Sequence, residues 1–158
     1  MPADCALRLV IIWMGRYLNS LSILNPRTGL YSFGTVPSLK LSGVALPEAH
    51  ILLPMGRHIG PNKGFGLRHI WAEHQFEMKK VGYLSELDVP LYVLDILQVG
   101  TPLYFEGASW RLTRLMAVRS ARGTAIMEFR ERREGSVWAI VTAFSGTRTH
   151  GTRVGTVR

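Results

Sequence analysis

The sequence predicts an α+β fold, with helices packed on one face of a small antiparallel β-sheet formed by a C-terminal meander. Leu67, Ile70, Trp71, His74, Met78 and Val81 recur at three- and four-residue intervals, the period of a helix. From Thr101 onward the pattern becomes short runs broken by glycine-bearing turns, the signature of strands. Helices followed by a run of strands is the α+β order. At 158 residues and 47% apolar content, the chain is sized for one core. It reads as a single domain over 1–158, with 1–29 a lead-in segment and 149–158 a mobile basic tail.

The N-terminal third is loop-rich. Asn25-Pro-Arg-Thr-Gly29 is a turn signal, because proline presets one dihedral and glycine admits positive φ. Leu30 to Phe33 makes a short strand that Pro37 prevents from extending, and Ala49 to Leu53 is a further apolar run ending at Pro54. A glycine-rich basic loop, Gly56-Arg-His-Ile-Gly-Pro-Asn-Lys-Gly64, then feeds the periodic helix. His69, Glu73 and Lys80 lie off its apolar stripe. Gly82 terminates it, with Lys79 and Lys80 at the negative end of the dipole. Ser85 and Asp88 cap a second, largely buried helix through Leu97, with Pro90 in its first turn and Gly100 closing it. Thr101–Gly107 reads as an edge strand, since Pro102 removes a ladder donor. Trp110–Arg119, Thr124–Arg132 and Ser136–Phe144 continue the meander, joined by Ser120–Gly123 and by Arg133–Gly135.

Composition narrows the function classes. Nineteen basic against eleven acidic side chains give a formal charge of +8, and the pI is near 10.3. Such a chain favours polyanionic partners. Ten arginines but only three acids lie between Arg111 and the end, so part of that charge must spread across the sheet, which together with the basic, glycine-rich loop favours a phosphate-binding groove. A merely solvated basic face is the plain alternative. The apolar content excludes a wholly disordered chain, a collagen or a coiled coil. The lone Cys5 excludes an internal disulfide framework and a cysteine zinc site, and fits a reducing compartment. The longest apolar run, Leu9–Met14, is far short of the roughly 20 residues of a spanning helix and lacks the flanks of a secretory signal. The expectation is therefore no membrane insertion and a cytoplasmic site of action, with delivery left to a larger exported or phage-encoded parent chain.

Three of the five histidines, His58, His69 and His74, fall between Arg57 and His74. Imidazole titrates nearest neutrality, so a pair can divide base and acid duties. A zinc helix is disfavoured, because the five-residue step from His69 to His74 turns the rings about 140° apart. No metal and no cofactor are called for. His69, near the helix start beside the basic loop, is the favoured catalytic histidine, and Glu73 one turn on either holds its tautomer or forms a surface pair with it. His58 sits in a glycine-flanked loop and reaches a cleft or stays on the surface. His74 is either a site residue or a hydrogen-bonded histidine on the buried stripe. Arg57, Lys63 and Arg68 surround the glycines, where backbone and helix N-terminus admit an anion. Thr142 near the end of the last strand of the meander, with Ser145 and Arg148 beyond it, offers donors to a scissile phosphate. Nucleophile elbow, P-loop and dinucleotide fingerprint are all missing.

The stretch Gly64-Phe-Gly-Leu-Arg-His-Ile-Trp-Ala-Glu-His74, preceded by His58 and followed by a helix and a meander ending Trp138-Ala-Ile-Val-Thr-Ala-Phe144, resembles the barnase–EndoU–colicin–RelE-like nuclease superfamily, in its phage- and polymorphic-toxin-associated branch. The likeness covers residues 30 to 148 in layout and is specific from His58 to His74. It implies a metal-independent, toxin-like endoribonuclease in which the ribose 2′-hydroxyl attacks the neighbouring phosphate to leave a 2′,3′-cyclic product. His69 and His74 match the helix motif, while Thr142, Ser145 and Arg148 match by place. His69 then acts as base and His58 or His74 as acid. Lys63 or Arg148 stabilises the phosphate charge, and Thr142 or Ser145 positions an oxygen. RNA, tRNA included, is the implied substrate, and an acidic immunity or antitoxin protein the implied partner. The competing expectation is a non-catalytic nucleic-acid-binding or phage-structural module using the same basic surface.

Overall fold

A computed structural model describes residues 21–41, 43–105, 107 and 113–158. Cys5, the run Leu9–Met14 and the start of the strand expected at Trp110 lie outside them. The chain lays down β1 (Thr35–Val36), the hairpin of β2 (Leu39–Leu41) and β3 (Val44–Leu46), then β4 (Ala49–Leu52). A second hairpin, β5 (Arg57–Gly60) and β6 (Lys63–Phe65), leads into helix α1 (Gly66–Lys80). A 3-10 turn (Glu86–Asp88) runs directly into α2 (Val89–Ile96). Strands β7 (Pro102–Phe105), β8 (Arg114–Arg119), β9 (Gly123–Arg130), β10 (Val137–Phe144) and β11 (Thr152–Thr156) follow.

Seven strands join in one sheet, ordered β1-β4-β10-β9-β8-β7-β11, that curls until it is nearly closed. Thr35 in β1 and Arg158 beyond β11 exchange both backbone hydrogen bonds, at 2.7 and 2.9 Å, which joins the two edges. Closure satisfies groups that open edges leave bare. The finding corrects the expected α+β layout of helices on one face of a small antiparallel sheet. The protein is mostly β, with one barrel-like sheet and two α-helices among the described residues. The meander β7 to β10 forms, but β7, expected at the edge because of Pro102, lies inside the sheet between β8 and β11. The flanking strands β4 and β11 come from a short apolar run and from the segment expected to be a tail. Four-residue β4 pairs parallel with β10, and β11, a Thr-Arg-Val-Gly-Thr stretch without apolar alternation, pairs with β7. Both become strands through ladder bonds to distant partners, which local pattern does not encode. Leu30–Phe33 stays irregular, and the strand there starts two residues later. No helix among the described residues is long and apolar enough to cross a membrane.

The core follows the ladders. Leu103, Ala117, Ala125 and Ala143 stand opposite one another, as do Phe105, Leu115, Met127 and Ile140, and all eight are buried. Ile140 and Ala143 share a face despite their odd spacing, because a bulge lies between Ile140 and Thr142. That bulge turns Thr142 and Phe144 to the opposite face, with Ile126 and Thr124. Helix α1 buries Leu67, Ile70 and Met78, and its basic last turn carries Lys79 and Lys80 as expected. The Asp88 carboxylate accepts from the Leu84 and Ser85 N–H groups at 2.8 and 3.1 Å, capping the turn into α2.

A polar clasp ties three segments together. Tyr83 donates its hydroxyl proton to Asp95, whose other oxygen meets Arg27 at 2.9 Å. Burial raises the Tyr83 phenol to about 12, and the Asp95 bond adds to that shift. A raised folded value means the unfolded chain ionises first, near 10. The stability Tyr83 contributes is therefore full below pH 10 and is lost as pH rises toward 12. Tyr83→Phe should be about 1–2 kcal/mol less stable than wild type at pH 8, with the gap closing above pH 10. Urea unfolding at pH 8, 10 and 11 checks this, and a gap constant with pH would overturn it.

Candidate active site

The segment read as a glycine-rich loop is the β5–β6 hairpin, folded back over the first turns of α1. Arg57 stands opposite Phe65 and His58 opposite Gly64, and Asn62, at φ 57°, makes the turn. Its N–H donates to a Glu73 oxygen at 2.8 Å, pinning the hairpin tip to the helix. The result is a close histidine pair. Nδ1 of His58 lies 3.2 Å from Nδ1 of His69, and the rings stack with centroids 5.5 Å apart. His58 Nδ1 is also 3.9 Å from the Glu73 carboxylate. Gly64 admits this approach, since a Cβ there would stand 2.7 Å from His69 Nδ1 and 2.2 Å from the Arg57 carbonyl oxygen. Its φ of 140° further suits glycine.

His69, placed off the apolar stripe by sequence, is only 5% exposed, because the hairpin covers it. Burial lowers its pKa below the usual imidazole value; Glu73 opposes this, while charge on His58 or His74 would add to it. His69 is thus neutral at neutral pH, whereas His58 faces solvent. The expected anion cradle at the helix start is already filled. The Leu67 and Arg68 N–H groups donate to the carbonyls of Pro54 and Met55, each at 3.0 Å. Any phosphate must be held by the exposed side chains of Arg57, Lys63 and Arg68 instead.

A second group lies farther round α1. His74 Nδ1 is 2.6 Å from Glu77, and the other Glu77 oxygen accepts the Ser145 hydroxyl. The His74 ring is 5.8 Å from that of Phe144. The structure therefore brings His58 and His69 together, and His74 with Ser145. Thr142 is separate from both, its hydroxyl buried without a hydrogen-bond partner. Arg148 is exposed in the loop after Ser145. That loop also borders a cavity of about 410 Å³ lined by Tyr104, Arg119, Ser120, Thr147 and Thr149.

Sequence reasoning missed Asn62 and Glu77, and assigned Gly64 to the approach of an anion where the structure sets it against the His69 ring. Glu77 carried a readable signal, standing three residues beyond His74 on the same helix face. Arg130 was missed as well. It shares the carboxylate of Glu128, which is 5% exposed, with Arg114. Its guanidinium lies 5.6 Å from the Phe65 ring centre, against the hairpin. Two guanidiniums on one carboxylate leave a net positive charge there.

Compared with known proteins, the chain matches no family model, no curated protein and no solved structure.

Proposed function

We propose that the protein is a metal-independent endoribonuclease, toxin-like in its chemistry, that cleaves RNA by transesterification. The observation that carries this reading is the His58–His69 pair, two imidazoles in Nδ1 contact at 3.2 Å with one exposed and one buried. In that geometry the pair works as a unit. Nε2 of His58 takes the 2′-hydroxyl proton as the 2′-oxygen bonds to phosphorus, and neutral His69 accepts the Nδ1–H of His58 in a hydrogen bond that steadies the exposed imidazolium. The P–O5′ bond breaks, and the 5′-oxygen receives a proton from His74 or from the recharged pair. The exposed order thus makes His58 the group that meets substrate and His69 the one that acts through it. Arg57, Lys63, Arg68 and Arg130 supply cations for phosphate charge, and Arg148 and Ser145 border the path beyond. The likeness to barnase–EndoU–colicin–RelE-like nucleases supports the reading through the motif from His58 to His74 alone. RNA as substrate, an acidic antitoxin as partner and a cytoplasmic site of action belong to the same proposal.

The overall charge of +8 favours a second reading, a binding or phage-structural module that holds nucleic acid without cutting it. One experiment separates the two. Total RNA and tRNA incubated with the protein in EDTA should yield fragments ending in 2′,3′-cyclic phosphate. Salt-sensitive binding with the RNA left intact would overturn the nuclease and leave the module.

A further inference from the structure

We infer that His58, His69 and Glu73 form a site for a borderline divalent metal, Zn²⁺ in the first instance, and that the metal holds the nuclease off. Their ligand atoms all lie within 4.8 Å of one another. Zinc bonds nitrogen and carboxylate oxygen at about 2.0–2.2 Å in a tetrahedron, which sets neighbouring ligand atoms about 3.3 Å apart. The His58–His69 edge is already 3.2 Å, and the His58–Glu73 edge of 3.9 Å closes with a small side-chain movement. Sequence argued against zinc on the His69–His74 step alone. The tertiary fold replaces His74 with a histidine from the hairpin and so removes that geometric objection.

Three features make this a built site rather than a chance meeting. Two Nδ1 atoms face each other at hydrogen-bonding distance, so a cation or a single proton must sit between them. The Asn62 N–H donates to the same Glu73 oxygen that faces His58, at 2.8 Å, which fixes that carboxylate beside the imidazoles while its second oxygen remains to turn toward an ion. His58 is exposed, which leaves a fourth position open to water. Two imidazoles and one carboxylate select zinc, nickel, cobalt or copper over magnesium and calcium. A bound ion occupies both Nδ1 atoms, so it replaces the hydrogen bond between the rings and its charge opposes protonation of His58 at Nε2. The inhibitory half of the inference rests on the proposed nuclease; the binding half does not.

The test has two arms on the intact chain. Calorimetry with ZnCl₂ should show one tight site, and Co²⁺ in its place should give tetrahedral visible absorption. His58→Ala and Glu73→Gln should each weaken zinc at least about tenfold, while His74→Ala leaves it unchanged. Zinc binding that is absent, or equal in the His58→Ala and Glu73→Gln variants, overturns the site. In the second arm, one equivalent of zinc should stop RNA cleavage and EDTA restore it. Cleavage undiminished by bound zinc overturns the off-state. Cleavage lost in EDTA and restored by zinc also overturns it, and with it the metal-independent reaction, while leaving the site. RNA intact under every condition removes the nuclease and leaves the metal site standing on the first arm.

Discussion

Replacing His69 with alanine is expected to lower RNA cleavage by about 10²–10⁴-fold, the span over which a general acid–base group contributes. His58→Ala should cost about as much. The sharper expectation concerns the double variant. Because the two imidazoles share one Nδ1 proton in a single hydrogen bond, removing both should be no worse than removing either, the non-additivity of residues that act as a unit. His69 is buried, so alanine also leaves a cavity; His69→Gln keeps most of the volume and serves as the control for folding. Single-turnover cleavage of a short RNA reads the chemistry, and thermal unfolding reads the fold. Full activity in a folded His69→Gln protein, or losses that multiply in the double variant, would remove the paired mechanism.

Gly64→Ala should be among the most damaging single-methyl changes in the molecule. The new Cβ would meet the Arg57 carbonyl oxygen at 2.2 Å and His69 Nδ1 at 2.7 Å, at a backbone φ of 140°. Forced overpacking and a left-handed non-glycine residue each cost about 1–3 kcal/mol, so a loss of about 3 kcal/mol is expected. For a chain of this length that lowers Tm by about 6–12 °C. Gly60→Ala in the same hairpin is the control, because nothing lies within 4 Å of its added methyl. Calorimetry on both proteins decides the matter. A Gly64→Ala protein as stable as Gly60→Ala would mean that the hairpin does not hold its approach to His69. Cleavage should fall with stability in Gly64→Ala, since the same methyl displaces the ring of His69.

The fit between sequence and structure is uneven for physical reasons. Helix α1 was legible because its buried residues Leu67, Ile70 and Met78 repeat at a period set by the helix itself. Ser85, Asp88 and Pro90 announced the second helix for a similar reason, since capping chemistry is local. The glycines of Gly56–Gly64 stand out in the sequence, but two of the helix N–H groups expected to admit an anion bond the carbonyls of Pro54 and Met55 instead. The glycines serve close packing of backbone and rings, which composition alone cannot distinguish from close approach of an anion. His69 looked exposed because periodicity counts the helix's own face and ignores a hairpin folding over the other.

What the sequence determined by itself was the material: a basic chain, an amphipathic helix with three histidines in or just before it, and a meander of strands. These are properties of neighbours in the chain, and short-range sterics and hydrophobic period decide them. The tertiary structure alone decided that β4 and β11 join the meander and that Arg158 meets Thr35 to draw the sheet nearly closed. It alone set His58 against His69 while turning His74 toward Ser145. Those outcomes depend on ladder bonds and packing between residues far apart in sequence, whose energies no local window contains.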